Sequence, residues 1–415
     1  MNDFLRNYVQ TTLGELCVLD NGVKVHGEKL PLLDVKYLRG KKEAEYLDSG
    51  VVLNDGQYAI LVDGENSGEV FRIHETGYMG STFKRLACPD NRLLEYLLYI
   101  IKFNQKMFRE NKKGSAIPHL DKKLFKELSI NLPPLAEQGR IVAKIEELFA
   151  GIDAGVENLK SVKNQIALYR QSVLKSAFLK VTAWEKLSNI CLVIKVGPFG
   201  TMLHEADYIS NGIPLVNPSQ IKNSKILPKQ DKCISPQKAE ELKEYRLMQG
   251  DIVLGRRGEM GRCATVDEME VGWLCGTGSI LIRLKKQMNA LFYNFFLASP
   301  LNVRYLEDNA TGTTMKNLNE KIVANIPVPV PTLAEQKRIV AEIESRFERA
   351  DALETAVDRA LNDAEKLKQA VLKKAFSGEL VPQNPDDEPA SVLLDRIRAA
   401  RASELPANPK KGKRK

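Results

Sequence analysis

A chain of 415 residues is too long for one hydrophobic core and fits about two to four folded units. Its 61 Lys+Arg against 53 Asp+Glu leave a net charge of +8, and five of those charges sit in the terminal Lys410, Lys411, Lys413, Arg414 and Lys415. The remaining +3 (8 − 5) excludes a uniformly basic body, so a nucleic-acid surface would have to be a local patch, with the tail as a solvated end that adds at most non-specific DNA contact.

The start, MNDFLRNYVQ, lacks the apolar stretch of a secretion signal. The longest apolar run, 93–101, is far short of a membrane span and contains Glu95. Cys17, Cys88, Cys191, Cys233, Cys263 and Cys275 are scattered, with no close metal-ligand pair. They read as reduced, mostly buried thiols of a cytoplasmic protein with no membrane partner and no metal site.

Residues 1–132 read as a first mixed α/β domain. Strands are predicted at 30–37, 58–62 and 80–86, with the Gly-containing turn DGENSGE at 63–69 after the second. A helix is predicted at 93–108, and NKKGSAIPHL at 111–120 reads as a loop. Pro133-Pro134 ends this domain and opens a helix, where proline is tolerated in the first turn.

Residues 133–179 form one long spacer helix. Ile141, Ile145, Leu148, Ile152, Val156, Leu159, Val162, Ile166, Tyr169 and Val173 recur in steps of three and four, one helical face, and no proline interrupts them. At about 1.5 Å per residue the element is roughly 60 Å long. One globular core cannot cover so long a stripe, so it needs a partner helix.

Residues 180–330 repeat the plan with other side chains, and residues 331–381 supply the partner helix. Leu135 aligns with Leu333, a shift of 198 (333 − 135), and LAEQ, RIVA and VLK-x-AF recur at that shift without a gap. The same shift aligns GSTFKRL at 80–86 with GSILIRL at 278–284, and NKKGSAIPHL with NATGTTMKNL at 309–318. The chain is an internal duplication in the order globular, helix, globular, helix, with diverged globular parts. The remaining 382–415 comprise a C-terminal segment, with Val392, Leu393, Ile397 and Ala400 on one face, and the basic tail.

Two similar helices imply a pseudo-two-fold arrangement. Paired antiparallel, they would hold two unlike heads a set distance apart, which suits two half-sites on DNA. The alternative is a two-headed coiled-coil adapter that binds no DNA.

No catalytic pattern survives inspection. Asn217-Pro218-Ser219-Gln220 follows a strand but lacks the aromatic that an amino-methyltransferase stacks on its target base, so it reads as a turn. GRRGEMG at 255–261 is no P-loop, because no Gly-Lys-Ser/Thr follows. His26, His74, His119 and His204 are isolated in sequence, and no paired acidic nuclease motif stands out. The polypeptide is expected to be non-catalytic.

The proline-led LAEQ-x-RIVA helices ending in VLK-x-AF, each after a variable domain with a Gly-Ser/Thr loop, resemble a type I restriction-modification specificity subunit (HsdS). PPLAEQGRIVAKIEEL, PTLAEQKRIVAEIE, KAFSGELV and LVDGENSGEVF carry the resemblance, which covers nearly the whole chain. It implies two target-recognition domains separated by an antiparallel coiled coil, an α+β architecture with a pseudo-two-fold repeat. It also implies that each domain reads half of a bipartite, non-palindromic double-stranded DNA target, and that the helices dock two modification (methyltransferase) subunits. S-adenosylmethionine, ATP and Mg belong, on this resemblance, to those partners and to a restriction/translocase subunit, with none in this chain. The adenine N6 would be methylated after base extrusion by the partner.

Base edges are read by Arg, Lys, Asn and Gln, and phosphates set position. The candidate DNA contacts are Asn66, Ser67, Lys84, Lys112, Lys113 and Ser115 in the first domain. In the second they are Arg256, Arg257, Arg262, Thr313, Thr314 and Lys316. Leu135, Ile141, Ile145, Phe149 and Ile152 are expected to fill the helix seam with Leu333, Ile339, Ile343, Phe347 and Ala350. Partner docking is assigned to other helix faces and to the segment 377–401.

Overall fold

The computed structural model describes residues 7–113, 118–227, 232–312 and 316–404. It divides into two compact units, Met1–Asn158 with Ala360–Lys415, and Leu159–Arg359. Each unit holds one globular domain and a stretch of each long helix.

In the first unit, Val9–Thr12 pairs antiparallel with Ser129–Leu132, which tethers the start of the domain beside its exit. A four-stranded sheet runs in the order Val18–Asp20, Phe83–Ala87, Tyr58–Leu61, Val70–Arg72, and Lys24–Leu33, Tyr46–Leu53 and Gly77–Met79 close a small barrel. The strand predicted at 30–37 stops at Leu33. There Asp34 accepts a hydrogen bond from the Tyr37 amide and caps a one-turn helix, Val35–Leu38. The helix predicted at 93–108 is two helices, Asn91–Phe103 and Gln105–Glu110. The break is at Asn104, whose side-chain amide donates back to the Ile100 carbonyl and ends the first.

In the second unit, Trp184–Lys186 pairs with Pro327–Pro329 in the same tethering role. One sheet has the order Cys191–Val196, Ser279–Leu284, Ile252–Gly255, Cys263–Thr265. Another has Tyr208–Ile209, Cys233–Ile234, Ile213–Val216, Leu274–Cys275.

The long helices are Leu135–Phe178 and Leu333–Phe376, and they pair antiparallel. Within the second unit Lys163 meets Asp358 at 2.7 Å, while Arg170 meets Asp351 at 2.5 Å and Glu354 at 3.1 Å. Within the first, Asp153 pairs with Lys368, whose ammonium lies 5.4 Å from the Phe149 ring centroid.

The seam is not made by these helices alone. Ile141, Ile145 and Phe149 are buried against Val371, Leu372 and Ala375 of the second helix and also against Leu93, Leu97, Ile100 and Ile101 of the globular domain. Ile339 and Ile343 pack likewise against Phe292, Phe295 and Phe296. Ala350 is buried, and Leu135, Ile152 and Phe347 are half-buried. Leu333 is a correction: it begins its helix 40% exposed, too open for a seam residue.

The C-terminal helix, Ala390–Glu404, also departs from expectation. Leu393, Leu394 and Ile397 enter the core of the first unit, whereas Val392 is exposed. Asp387 pairs with Arg140 at 2.6 Å and Arg398 with Glu15 at 3.1 Å, so the segment belongs to the fold of its unit and its apolar face is not open to a partner. Burial pushes the thiols of Cys17 and Cys191 up to about 12, which leaves them un-ionised and unreactive near neutrality.

Candidate nucleic-acid interface

In the second unit the strand Ile252–Gly255 is wholly buried and delivers Arg256 to its end. The Arg256 amide donates to the Gly278 carbonyl at 2.9 Å, and its carbonyl accepts from the Leu318 amide at 2.9 Å. Arg257 and Thr311 each form a β-bridge to Asn317. The Gly-rich turn and the later NATGTTMKNL loop therefore form one junction. Within it Arg256 Nε donates to Asn317 Oδ1 at 3.0 Å, and the guanidinium lies 5.9 Å from the centroid of Phe199. Burial, with Arg257 alongside, presses the Arg256 pKa down, though an arginine stays charged.

The platform beneath is built from glycines. A Cβ on Gly197 would stand 2.0 Å from the Gly276 carbonyl oxygen, and one on Gly276 would stand 2.5 Å from Asn217 Oδ1. Asn217 accepts from the Gly278 amide at 3.1 Å, and its own amide donates to Gln220 Oε1 at 2.8 Å. The Asn217–Gln220 stretch is thus a capped turn that braces the strand end under Arg256.

The first unit builds the same junction with other side chains. The Leu120 amide donates to the Val62 carbonyl at 2.8 Å, Asp63 and Lys113 each bridge to His119, and Gly64 donates to the Pro118 carbonyl at 2.7 Å. Val62 and Asp63 stand where the second unit has Arg256 and Arg257, and His119 stands where it has Asn317. His119 Nδ1 lies 2.6 Å from Asp63 Oδ1, so this histidine, isolated in sequence, is paired in space.

The structure sorts the candidate residues. Arg257 is exposed, and Lys316 is exposed with its ammonium on the Glu307 carbonyl at 2.9 Å and no carboxylate partner among the described residues. Arg262 is tied to Glu259 at 2.5 Å and to the Pro218 carbonyl at 3.2 Å. Lys112 is tied to Glu65 at 2.6 Å, Lys113 to Asp121 at 2.8 Å, and Lys84 to Asn21. Asn66 is partly exposed in the turn beside them. Ser67 is a correction: at 0% exposure its hydroxyl lies beneath the surface and cannot touch a duplex. Ser115, Thr313 and Thr314 lie outside the described residues. Phe199, Asn317, Asp63 and His119 were missed. The alignment of the two loops at a shift of 198 already placed His119 opposite Asn317, and that was the available signal.

Two stretches of this chain, 8–164 and 186–362, match the type I restriction modification DNA specificity domain. The chain belongs to that family. Among type I specificity proteins it is 28% identical over 326 residues to the type I restriction enzyme EcoBI specificity subunit of Escherichia coli, covering 71% of this chain and 69% of the relative. It is 24% identical over 376 residues to the MjaVIII specificity subunit of Methanocaldococcus jannaschii, covering 85% and 87%. A solved chain from a study of complex assembly and conformational transition of the type I R-M system shares the fold, with a TM-score of 0.68 at 20% identity over 90% of this chain and 99% of that one. The two specificity-domain matches coincide with the two junctions, one in each. Among the described residues no helix is long and apolar enough to cross a membrane.

Proposed function

We propose that this chain is the DNA-specificity subunit of a type I restriction-modification complex. Each recognition domain reads one half of a bipartite, non-palindromic target, and the paired helices set the gap between the halves. The chain supplies address and scaffold, and the chemistry resides in partners: two methyltransferase subunits that use S-adenosylmethionine on adenine N6, and a restriction/translocase subunit that uses ATP and Mg. The five domain segments, 1–132, 133–179, 180–330, 331–381 and 382–415, are the boundaries we assign to those roles.

One observation carries this reading. The chain holds two specificity domains with the same junction, and the junctions present different chemistry, Asp63 with His119 in one and Arg256, Arg257 and Asn317 in the other. A carboxylate accepts where a guanidinium donates, so one base pattern cannot satisfy both. Different heads on one chain fit a target whose halves differ.

The test is the adenine methylome of the host with and without this gene. The expected result is loss of one bipartite, asymmetric mark on deletion and its return on complementation. An unchanged methylome, in a host whose partner genes are expressed, would remove the reading.

A further inference from the structure

Arg256 is fixed at its junction by both its backbone and its side chain. Its peptide is held at both the amide and the carbonyl, and its Nε is committed to Asn317 Oδ1. Its guanidinium faces the Phe199 ring, within the reach of a cation–π contact. Arg262, Lys112 and Lys113 are each neutralised by a carboxylate, whereas Arg256 has no acidic partner among the described residues. A half-buried charge normally has a counter-charge. Its two terminal nitrogens make no hydrogen bond among the described residues, and the Nε bond sets the plane in which they lie.

We propose that Arg256 reads a guanine in the half-site bound by the second domain, with Asn317 and Phe199 as its positioning residues. This rests on the DNA-specificity reading above and adds which base and which side chain. The terminal fork of an arginine matches guanine O6 and N7 in the major groove as a bidentate pair. A phosphate contact needs no such fixing, and Arg257 beside it, exposed and with no hydrogen bond or ion pair of its guanidinium among the described residues, suits that task. Phe199 is 54% exposed, and the chain two residues before it is anchored, because Gly197 packs its backbone against Gly276 and donates to the Ser279 carbonyl at 2.9 Å. The first unit has Val62 at this position, so this arginine contact belongs to the second half only.

The test selects binders from random-sequence duplex DNA, using the full chain purified through a tag in complex with its own partner subunits. The wild type should enrich a bipartite motif containing a guanine. Arg256→Lys keeps the charge and should lower the preference for that guanine about ten-fold or more, leaving the other half intact and the salt slope unchanged. Asn317→Ala and Phe199→Leu should weaken the same preference, and Asn317→Asp, which keeps the acceptor, should retain it. An unchanged motif with Arg256→Lys overturns the proposal. So does a slope that falls by about one with Arg256→Ala while the motif stays, the mark of a phosphate contact. Loss of both half-sites together in Arg256→Lys, Asn317→Ala and Phe199→Leu would reduce the trio to scaffold and also overturns it. If the wild-type complex enriches no bipartite motif, the DNA-specificity reading fails first and this one falls with it.

Discussion

Asp251 is where the chain enters the strand that carries Arg256. Its carboxylate is 2% exposed and accepts from Arg283 twice, at 2.8 Å from Nε and 2.7 Å from a terminal nitrogen, and once from the Met248 amide at 2.7 Å. Breaking a buried pair from one side costs about 3–5 kcal/mol, because the other charge is stranded. Asp251→Ala strands Arg283, whose side chain is 22% exposed and can partly rehydrate, so the cost falls near the lower end, about 3 kcal/mol. Arg283→Met strands the more deeply buried carboxylate and falls near the upper end, about 5 kcal/mol. The double variant strands nothing and should fall short of the sum by about 2 kcal/mol or more. Both tryptophans, Trp184 and Trp273, lie in the second unit, so fluorescence reports its unfolding alone. At about 2–4 °C per kcal/mol for a unit of this size, Asp251→Ala should lower that Tm by about 6–12 °C. A shift under about 2 °C, or single-variant losses that simply add in the double, would refute the account of a coupled buried pair.

Three further outcomes follow from the packing. Leu394→Ala, at a 1% exposed site in the C-terminal helix, should destabilise the first unit by about 2–5 kcal/mol in a denaturant titration followed by circular dichroism, and leave the tryptophan transition in place; truncation after Gln383 should be worse, and a truncated chain that melts like the full one would refute the structural role given to that helix. Glu137, 2% exposed, has its pKa raised above 4.5, chiefly by burial and against the Tyr8 hydrogen bond at 2.6 Å. The folded state therefore keeps its proton to higher pH than the unfolded chain, and the stability this gives is full below about 4.5 and is lost as pH rises through the folded pKa. Glu137→Gln should remove that loss, so its advantage in Tm grows with pH above 4.5 and then levels; parallel curves would count against it. Gly197→Ala, whose methyl would sit 2.0 Å from a backbone oxygen, should lower the fluorescence Tm and cost about 1–3 kcal/mol, and a wild-type melt would show that the loop is not locked there.

The duplication, the two long helices and their antiparallel pairing were legible because a helix repeats its environment every turn, and Ile141, Ile145, Ile339 and Ile343 mark that period in both copies. What the helices pack on was not. Periodicity names the buried face but not its cover, so the helix Asn91–Phe103 and the C-terminal helix, which share the burial of Ile141 and Ile145, could not be read from the stripe. The junctions were legible as Gly-rich turns and loops, and their pairing was not, because the bridges Arg257–Asn317 and Asp63–His119 join residues some sixty positions apart by main-chain contact. Side-chain type does not encode such a contact. Ser67 failed for the converse reason: a polar residue in a polar turn reads as exposed, yet this turn folds its hydroxyl inward.

The repeated LAEQ separates the two kinds of information within four residues. Gln138 and Gln336 are both buried, and each donates from its side-chain amide to the carbonyl of the proline that opens its helix, Pro133 at 2.8 Å and Pro331 at 2.9 Å. That bond closes within five residues, so the same sequence gives the same structure in both copies. The glutamate before it is finished differently in the two copies. Glu137 is covered by Tyr8, its neighbour Arg140 is taken by Asp387, and its carboxyl is pushed up. Glu335 is exposed beside Arg338, which instead holds its carboxyl below the ordinary value. The shifts are opposite because Tyr8 and the turn at Asp387, both distant in sequence, close over Glu137 and Arg140, whereas Glu335 is held by Arg338 one helical turn on. The same division runs through the whole chain. Contacts that close locally are repeated in the two copies, and surfaces finished from outside differ between them. If DNA finishes the two junctions, as we propose, they are where the copies should be most unlike.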